Sequence, residues 1–476
     1  MNITLLSIEI LTTVLAIGLL VIGLLVPKGQ WRGISYLTTI GLTGILISTL
    51  AFSGVNETLF NGMYVIDPLS TFFKQIFLLA AVLVSLASYD YILRLGYNQA
   101  EFFSLLVFAT LGMMVLASSG DLISLYVGLE LMTITFIILT AYRKKDAKAS
   151  EAGIKYLILG AMSSAVLLYG LSFVYGAAGS TVFSEIAAAM QGGIQPLMVL
   201  GTIFVIAGFA FKISAVPFHM WSPDIYEGAP TPVTAFLAVA SKAAGFAAMI
   251  RILVIALPAL ASDVWLVIVI VLAALTVLFG NFVAIPQTNI KRLLAFSSIA
   301  QAGYLLFGLV AFSALGIAAI LFHSILYVFA NMGAFIVAIS FYNHTGSDEI
   351  KDYTGLAQRS PFMAAVMLLS LLSLAGIPPL AGFVSKFYLF TAIIEKGYLW
   401  LAFLGIGMSM VSVYYYLMVV KVMYLGEPVE GADKIKLPFS VQAALLICMI
   451  VSVFFGIYPE PLTNVALNVA HVFFPF

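Results

Sequence analysis

Residues 360–396 read SPFMAAVMLLSLLSLAGIPPLAGFVSKFYLFTAIIEK, an apolar run with a single lysine, Lys386, in its interior. As one straight helix the run would be about 55 Å long, whereas the hydrocarbon core of a bilayer is about 30 Å thick. Gly376-Ile377-Pro378-Pro379 lies in its middle. Because proline removes a backbone donor and clashes with the preceding turn, the run predicts a membrane helix broken at this point. An ordinary proline kink is the alternative.

The rest of the chain has the same apolar character. Its 476 residues are 63% hydrophobic and only 9% charged, and the mean hydropathy is +1.13. A soluble protein has about 25% charged residues, so this chain could not cover a soluble surface. Long continuous apolar runs exclude a transmembrane β-barrel, whose segments alternate. The sequence therefore predicts an all-α polytopic membrane protein.

The apolar runs predict about fourteen spans in one membrane domain that covers residues 1–476. Basic residues concentrate in the odd-numbered connections between spans. By the positive-inside rule those connections face the cytoplasm, and both termini face outward. The predicted spans are 5–26, 33–54, 67–89, 101–119, 121–142, 152–178, 196–220, 231–257, 263–284, 292–312, 313–343, 360–396, 398–425 and 437–458.

Ionisable side chains inside these spans are the first candidate functional residues. Glu130 lies nine residues past Asp121 and Lys242 eleven residues past Thr231, which places both near the midplane at about 1.5 Å per residue. A charge at that depth costs at least ~2.5 kcal/mol, so we expect such groups to pair, contact water or titrate. A structural ion pair is the alternative for each.

Further intramembrane lysines belong to the same group of candidates. Lys212 and Lys386 stand close to interruptions of their spans, and Lys155 lies near one end of the sixth span. Lys155 could instead snorkel to the membrane surface, and Lys74 is interpreted as a structural or snorkelling lysine. Lysine suits proton relay because burial disfavours its ammonium form and a nearby carboxylate favours it.

A second break is predicted in the seventh span, where Ser214-Ala215-Val216-Pro217-Phe218-His219 follows Lys212. Interrupted helices in two parts of a transporter indicate the ion path. Since histidine titrates near neutral pH, His219 and His323 are candidate relay residues. The alternative for both is a histidine satisfied within the core.

Several other kinds of chemistry are excluded for this chain. The single cysteine, Cys448, excludes cysteine-held iron–sulfur clusters, a cysteine zinc site and an internal disulfide. Four scattered histidines form no metal site. No Walker A or glycine-rich nucleotide motif occurs, and zero net charge gives no basic surface for nucleic acid. We therefore expect no cofactor in this chain.

Four segments resemble the antiporter-like membrane subunits of respiratory complex I. They are residues 126–131 (YVGLEL), 211–221 (FKISAVPFHMW) with the following Asp224 and 227–232, 374–386 (LAGIPPLAGFVSK), and 151–161 (EAGIKYLILGA). The last segment resembles subunit N in particular. Subunit M usually has glutamate where this chain has Lys386, which also favours N.

The resemblance implies fourteen helices with two inverted five-helix repeats at about 101–257 and 263–425, which follow three helices at 1–100 and precede a final helix at 437–458. It implies that Glu130 pairs with Lys212 and that Lys242 is the central relay. It adds Lys155, His219 and the twelfth-helix Lys386 to the proton path. Protons would move from Lys212 through Lys242 and the His323 region to Lys386, driven by quinone reduction elsewhere.

The same resemblance implies a translocase subunit without a redox centre of its own. NADH, FMN, iron–sulfur clusters and quinone are expected in partner subunits. The expected partners are subunits M, L, A, J and K, the peripheral redox arm and the lipids of a bacterial cell membrane. Alternatives are a subunit of a multisubunit cation/proton antiporter, of a related hydrogenase or F420-dependent dehydrogenase membrane arm, or a scaffold without transport.

Overall fold

The computed structural model describes residues 3–26, 32–96, 98–427 and 433–474. A 3₁₀ turn at Ile3–Leu6 precedes the first long helix. The helices of the first part are α1 (Ser7–Leu25), α2 (Arg32–Ser48), α3 (Pro68–Leu95), α4 (Gln99–Ala117), α5 (Leu122–Thr140), α6 (Ala147–Ala178), α7 (Phe183–Ala189), α8 (Pro196–Lys212), α9 (Trp221–Gly228) and α10 (Thr231–Ala256).

The second part of the chain continues the same architecture. Its helices are α11 (Leu266–Ala284), α12 (Ile290–Ala311), α13 (Ala314–Thr345), α14 (Leu356–Arg359), α15 (Pro361–Ala375), α16 (Ala381–Glu395), α17 (Leu399–Leu425), α18 (Phe439–Ile457) and α19 (Glu460–His471). Most connections between these helices are short.

Among the described residues, 12 helices are long and apolar enough to cross a membrane. The shorter apolar helices α8 and α15 lie where the seventh and twelfth spans were predicted to break. Together they account for the fourteen predicted spans. The prediction of an all-α polytopic membrane protein is confirmed.

Both predicted helix breaks are present. The helix α8 ends at Lys212, and the chain is not helical again until α9 begins at Trp221. The helix α15 ends at Ala375, where Gly376 adopts a φ of +85° before α16 begins. Each break contains one cis X–Pro bond, at 216–217 and at 378–379. Each broken span is therefore two separate helices rather than one kinked helix.

Three helices, α10, α12 and α13, are almost entirely buried inside the protein. The helix α10 contains π-helical turns at Leu237–Ser241 and Ile250–Ala256, on both sides of the α-helical segment Lys242–Met249. Such π-helical turns are rare and occur frequently at functional sites. The outer helices α6 and α17 bury only about a third of their surface or less, which suits lipid or a partner subunit.

Two features of the fold were not predicted. The connection between the second and third spans forms a β-hairpin, β1 (Glu57–Leu59) and β2 (Tyr64–Ile66), paired antiparallel. The predicted final helix at 437–458 is followed by α19, whose 12 residues are too few to cross a bilayer. The expectation that 437–458 is the last helix is therefore wrong; the polar residues of α19 hid its helical pattern from a search for apolar runs.

Candidate functional site

The first break positions Lys212 against α5. Lys212 is only 2% exposed, and its ammonium donates to Thr133 Oγ1 at 2.7 Å. The Thr133 hydroxyl in turn donates to the Leu129 carbonyl at 2.7 Å. Lysine and threonine are thus joined in a short buried chain that starts at the last residue of α8.

Glu130 lies three residues before Thr133 on α5, and its charge is within electrostatic range of Lys212. No ion pair joins the two side chains among the described residues. Glu130 and Lys212 are therefore near each other but not in contact. The Lys212 ammonium donates instead to Thr133, one turn further along α5. Glu130 is half-buried, and its Oε1 has no hydrogen-bond partner.

Lys242 begins the α-helical segment between the two π-helical turns of α10. It is 2% exposed, and its Nζ has no hydrogen-bond partner in the structure. An ammonium carries three donors, and leaving them unpaired in an apolar environment is costly. We therefore expect water beside this group, which would connect it to the polar residues of the neighbouring helices.

The second break supplies the acceptor for Lys386. The Lys386 ammonium donates to the carbonyl of Ala375 and to Ser409 Oγ, both at 3.0 Å, and it lies 4.6 Å from the centre of the Tyr304 ring. Ala375 is the last residue of α15, so the break frees this carbonyl from the helix. A Cβ at Gly376 would stand 3.0 Å from the Lys386 side chain, so glycine leaves room for the lysine.

His323 is joined to this second site through Ser385. Its Nδ1 lies 3.1 Å from Ser385 Oγ, and its Nε2 is buried without a hydrogen-bond partner. Beside them is a cavity of about 10 Å³ lined by His323, Ser385, Lys386 and Gln301. Since a water needs about that volume, the cavity suits one water between the histidine and the lysine.

Neutral polar residues that the sequence analysis did not single out lie close to one another on α9, α12 and α13, and one of them, Tyr327, also lines the cavity beside His323. Ser298 of α12 is close to the hydroxyls of Tyr226 and Tyr327, without an ordinary hydrogen bond to either. Tyr327 accepts from Asn331 Nδ2 at 2.9 Å. The only sequence signal of Ser298, Tyr327 and Asn331 was that they are polar residues in apolar spans, and Tyr226 lies in a predicted connection between spans.

Buried polar atoms without a hydrogen-bond partner are concentrated in this region. In native proteins such atoms are few and each calls for an explanation, such as a water. Those near the two breaks and in α10, α12 and α13 are Ser214 Oγ, His219 Nδ1, Ser222 Oγ, Tyr226 Oη, Thr231 Oγ1, Lys242 Nζ, Ser298 Oγ, Gln301 Oε1, His323 Nε2, Ser324 Oγ and Asn331 Oδ1.

Two predicted site residues, His219 and Lys155, are not fully buried. His219 is half-buried in the first break, with its ring 6.5 Å from that of Phe279. The Lys155 side chain is 41% exposed, and its ammonium pairs with Glu151 at 2.8 Å and Asp224 at 2.9 Å. The structure therefore places Lys155 in a charged surface cluster and not among the buried relay candidates.

That charged cluster consists of Lys148, Glu151, Lys155, Asp224, Glu227 and Arg292, beside a cavity of about 200 Å³. One nitrogen of Arg292, Nη1, lies 3.0 Å from both Asp224 and Glu227. Burial opposes ionisation of Asp224, but hydrogen bonds from Lys155 and Arg292 outweigh it and lower the pKa of this carboxyl. Arg292 and Lys148 lower the pKa of Glu227 against the same opposing burial.

Lys74 forms a separate ion pair with Glu9 at 2.6 Å, and the Tyr64 hydroxyl also donates to Glu9, at 2.7 Å. This contact agrees with the interpretation of Lys74 as a structural lysine; Glu9, close to the start of α1, was missed. Among the described residues, no group of three His, Cys, Asp or Glu side chains is arranged to hold a metal ion.

Comparison with known proteins gives consistent results. The family model of the NADH:quinone oxidoreductase/Mrp antiporter transmembrane region matches residues 119–412, more than half of the chain. The chain is 61% identical to NADH-quinone oxidoreductase subunit N of Moorella thermoacetica, over 99% of each chain. It is 55% identical to the subunit of the same name from Heliobacterium modesticaldum, over 100% of both.

Solved structures share the fold. A chain of respiratory complex I from Thermus thermophilus is 31% identical, with a TM-score of 0.82 over 97% of this chain and 99% of that one. A chain of the Mrp complex from Dietzia sp. superposes with a TM-score of 0.86 over 98% of each chain. At 21% identity, the second likeness concerns the fold alone.

Proposed function

The chain belongs to the family of NADH-quinone oxidoreductase N subunits, and we propose that its buried lysines and the polar residues between them carry the protons. It is a membrane subunit of a proton-translocating complex. The site residues proposed for this transfer are Glu130, Lys212, Lys242, His323 and Lys386. The observation that supports this assignment most strongly is the group of buried polar atoms without a hydrogen-bond partner in α10, α12 and α13, which includes Lys242 Nζ and His323 Nε2.

In the proposed route, protons reach Lys212 and Lys242 from the side of the charged cluster. They continue by way of waters beside Ser298 and the hydroxyl of Tyr327 to His323. Ser385 and the small cavity then connect His323 to Lys386. Intramembrane ionisable residues that face a protein interior are typical of such relays.

Glu130 is proposed to regulate Lys212. Burial disfavours a lysine ammonium, and a carboxylate nearby favours it. Because Glu130 is near Lys212 without touching it, a change in its charge or position would alter the proton affinity of the lysine while leaving the Thr133 hydrogen bond in place. The pair can thus load and release a proton without a redox centre in this chain.

Lys155 and His219 have different proposed roles. Lys155 belongs to the charged cluster, which would be the mouth through which protons enter. His219 lies in the first break, two residues before Trp221, and would bring a titratable group to that break.

The surroundings of the chain are also proposals. Basic residues in the odd-numbered connections support a cytoplasmic position for the charged cluster and an outward position for both termini. On the family resemblance we also propose the cell membrane of a bacterium, two inverted five-helix repeats at 101–257 and 263–425, and contacts with subunits M, L, A, J and K. NADH, FMN, iron–sulfur clusters and quinone would be bound by partner subunits, and the chain itself would perform no redox step.

Replacement of Lys242 by alanine tests the relay. The complex that contains the variant would be purified, reconstituted in liposomes and assayed for donor oxidation by quinone and for proton uptake. We expect both to fall by about a hundredfold, the usual contribution of a positioned proton-transfer group. The matched control is Lys421→Ala, which removes an exposed lysine of α17.

The relay is contradicted if the Lys242→Ala complex oxidises its donor and pumps at wild-type rates. The composition of the purified complex tests the alternative assignments. A cation/proton antiporter would contain no flavin or iron–sulfur subunits, whereas a quinone oxidoreductase would contain both.

A further inference from the structure

Another buried ion pair, between Arg251 and Asp67, lies at the end of α10 that is remote from the charged cluster. Arg251 donates to both carboxylate oxygens of Asp67, at 2.7 and 2.6 Å, and its Nε donates to the Ala117 carbonyl at 3.0 Å. Arg251 is 2% exposed and Asp67 is 3% exposed. Three contacts therefore fix a guanidinium charge in the interior, and the relay described above makes no use of it.

Along α10, this charge follows an apolar segment. Arg251 is nine residues beyond Lys242 on the same helix, or about 13 Å along its axis. Every residue between them, from 243 to 250, is buried and lacks a polar side chain. Arg251 is thus the first polar side chain on α10 after Lys242, towards the C-terminal end of the helix.

Polar groups begin again on the far side of Arg251. The Tyr64 ring is within electrostatic range of the guanidinium and lies close to Ser118, whose Oγ has no hydrogen-bond partner. The hydroxyl of Tyr64 contacts Glu9, which pairs with Lys74. A proton that left Lys242 for this side would cross the apolar segment and then meet the guanidinium before it reached these polar groups.

Stability alone does not account for a charged pair at this position. Removing two charges from water is costly, and replacing a buried ion pair by well-packed apolar residues is often neutral or stabilising. Arginine does not lose its proton in proteins, so Arg251 cannot be a step of the relay. A charge that is permanent, buried and fixed suits a barrier, as arginines in pores exclude protons and cations.

We propose that Arg251 is an electrostatic plug that keeps protons on Lys242 from escaping to the outer side, with Asp67 as the residue that holds it in place. The proposal rests on the proposed relay through Lys242 and on the proposed orientation. In this arrangement protons can enter the first part of the chain from the side of the charged cluster but cannot leave it on the outer side. They must therefore continue to Lys386.

A simple mechanical clamp between α10 and the start of α3 is the alternative, and two variants separate it from a plug. Asp67→Asn breaks the ion pair but leaves the guanidinium, and asparagine still caps α3. Arg251→Met breaks the same pair and removes the charge. A clamp predicts the same effect for both variants, whereas a plug predicts an effect for Arg251→Met alone.

The measurement is passive proton permeability of liposomes that contain the whole complex, without donor, after an imposed pH step. We expect Arg251→Met to leak at least about tenfold faster than wild type, because one unit charge within about 12 Å of the path raises the barrier by that factor at an effective dielectric constant of about 20. Asp67→Asn should remain as tight as wild type. If a single variant does not assemble because it buries an unpaired charge, the double variant Asp67→Asn/Arg251→Met replaces it and should leak.

Two controls make the outcome specific. Glu9→Gln/Lys74→Met removes the neighbouring buried ion pair and should leave permeability unchanged. Adding Lys242→Ala to Arg251→Met should abolish the leak, since the escaping protons come from Lys242. A leak that persists without Lys242, a leak of equal size in Asp67→Asn, or no leak in any Arg251 variant would overturn the plug. Wild-type pumping by Lys242→Ala alone would instead overturn the proposed relay.

Discussion

Lys212 and Lys386 stand beside the two helix breaks, yet the protein holds them in different ways. Lys212 is the last residue before its break, bonded to one hydroxyl and within electrostatic range of Glu130. Lys386 follows its break and is held by a freed backbone carbonyl, by Ser409 and by the face of the Tyr304 ring. Among the described residues, no carboxylate forms an ion pair with Lys386.

This difference indicates two kinds of proton site. The affinity of Lys212 depends on a charge that can itself change, and Glu130 is only half-buried, so a neighbouring subunit can influence it. The surroundings of Lys386 are neutral and fixed by the backbone of the second break. We infer that the first site is regulated from outside the chain, whereas the second responds to the protons that arrive through His323.

The largest expected effect is that of Lys386→Met. A neutral thioether fills the lysine site without carrying a proton, so proton pumping should fall by about a hundredfold or more. Lys386→Arg should be as poor, because a guanidinium keeps its proton. Proton uptake and donor oxidation in liposomes measure both variants, with Lys396→Met, at the exposed end of the same helix, as the control. An active Lys386→Arg would show that this site needs only a positive charge.

Glu130→Gln should have the next largest effect. It leaves the Thr133 hydrogen bond in place but removes the charge that favours the Lys212 ammonium, and turnover should fall by about tenfold. Glu130→Asp should restore part of the activity, because the carboxylate is kept at a slightly different distance. If Glu130→Gln turns over like wild type, Lys212 is a neutral site of the same kind as Lys386, and the distinction fails.

The helix breaks, the spans and the burial of Lys242 could be predicted from the sequence, because each depends on a local pattern of residues. Proline and glycine at 217, 376, 378 and 379 predicted both breaks, because their effect on a helix does not depend on the rest of the fold. Depth along a span predicted the burial of Lys242, because helical rise is constant. The fourteen spans followed from hydropathy for the same reason.

Contacts between residues that are far apart in the sequence could not be predicted from it. Thr133 and Lys212 are 79 residues apart, and Asp67 and Arg251 are 184 apart. No local pattern indicates which hydroxyl a lysine meets, so Thr133 and Ser409 were missed and a direct Glu130 contact was expected instead. Lys155 joined the predicted proton path through the family resemblance alone, and its contact with Asp224, 69 residues away, has no local sequence signal.

The hydrogen bonds of the two lysines should matter less than their charges. Thr133→Ala removes the hydroxyl bonded to Lys212, and turnover should fall by about fivefold, the equivalent of about 1 kcal/mol. Ser409→Ala should cost about twofold, since the Ala375 carbonyl still accepts from Lys386.

Controls for both are nearby on the same helices. The Thr135 and Ser412 hydroxyls donate to backbone carbonyls of their own helices and contact neither lysine, so Thr135→Ala and Ser412→Ala should be close to wild type. If Ser409→Ala were more damaging than Thr133→Ala, the backbone carbonyl would not be the main support of Lys386.

The smallest expected effect concerns the charged cluster, where Asp224→Asn should lower turnover by less than about twofold, because exposed ion pairs contribute little. Pairing with Lys155 and Arg292 lowers the pKa of Asp224, so the carboxylate is ionised from pH 6 to 8. A lowered pKa gives a stabilisation that is complete above the unfolded pKa of about 3.9 and is lost as the pH falls through the folded value. The ratio of variant to wild-type turnover should therefore be constant between pH 6 and 8. A loss larger than that of Glu130→Gln would place the decisive charge at the mouth and not at the first break.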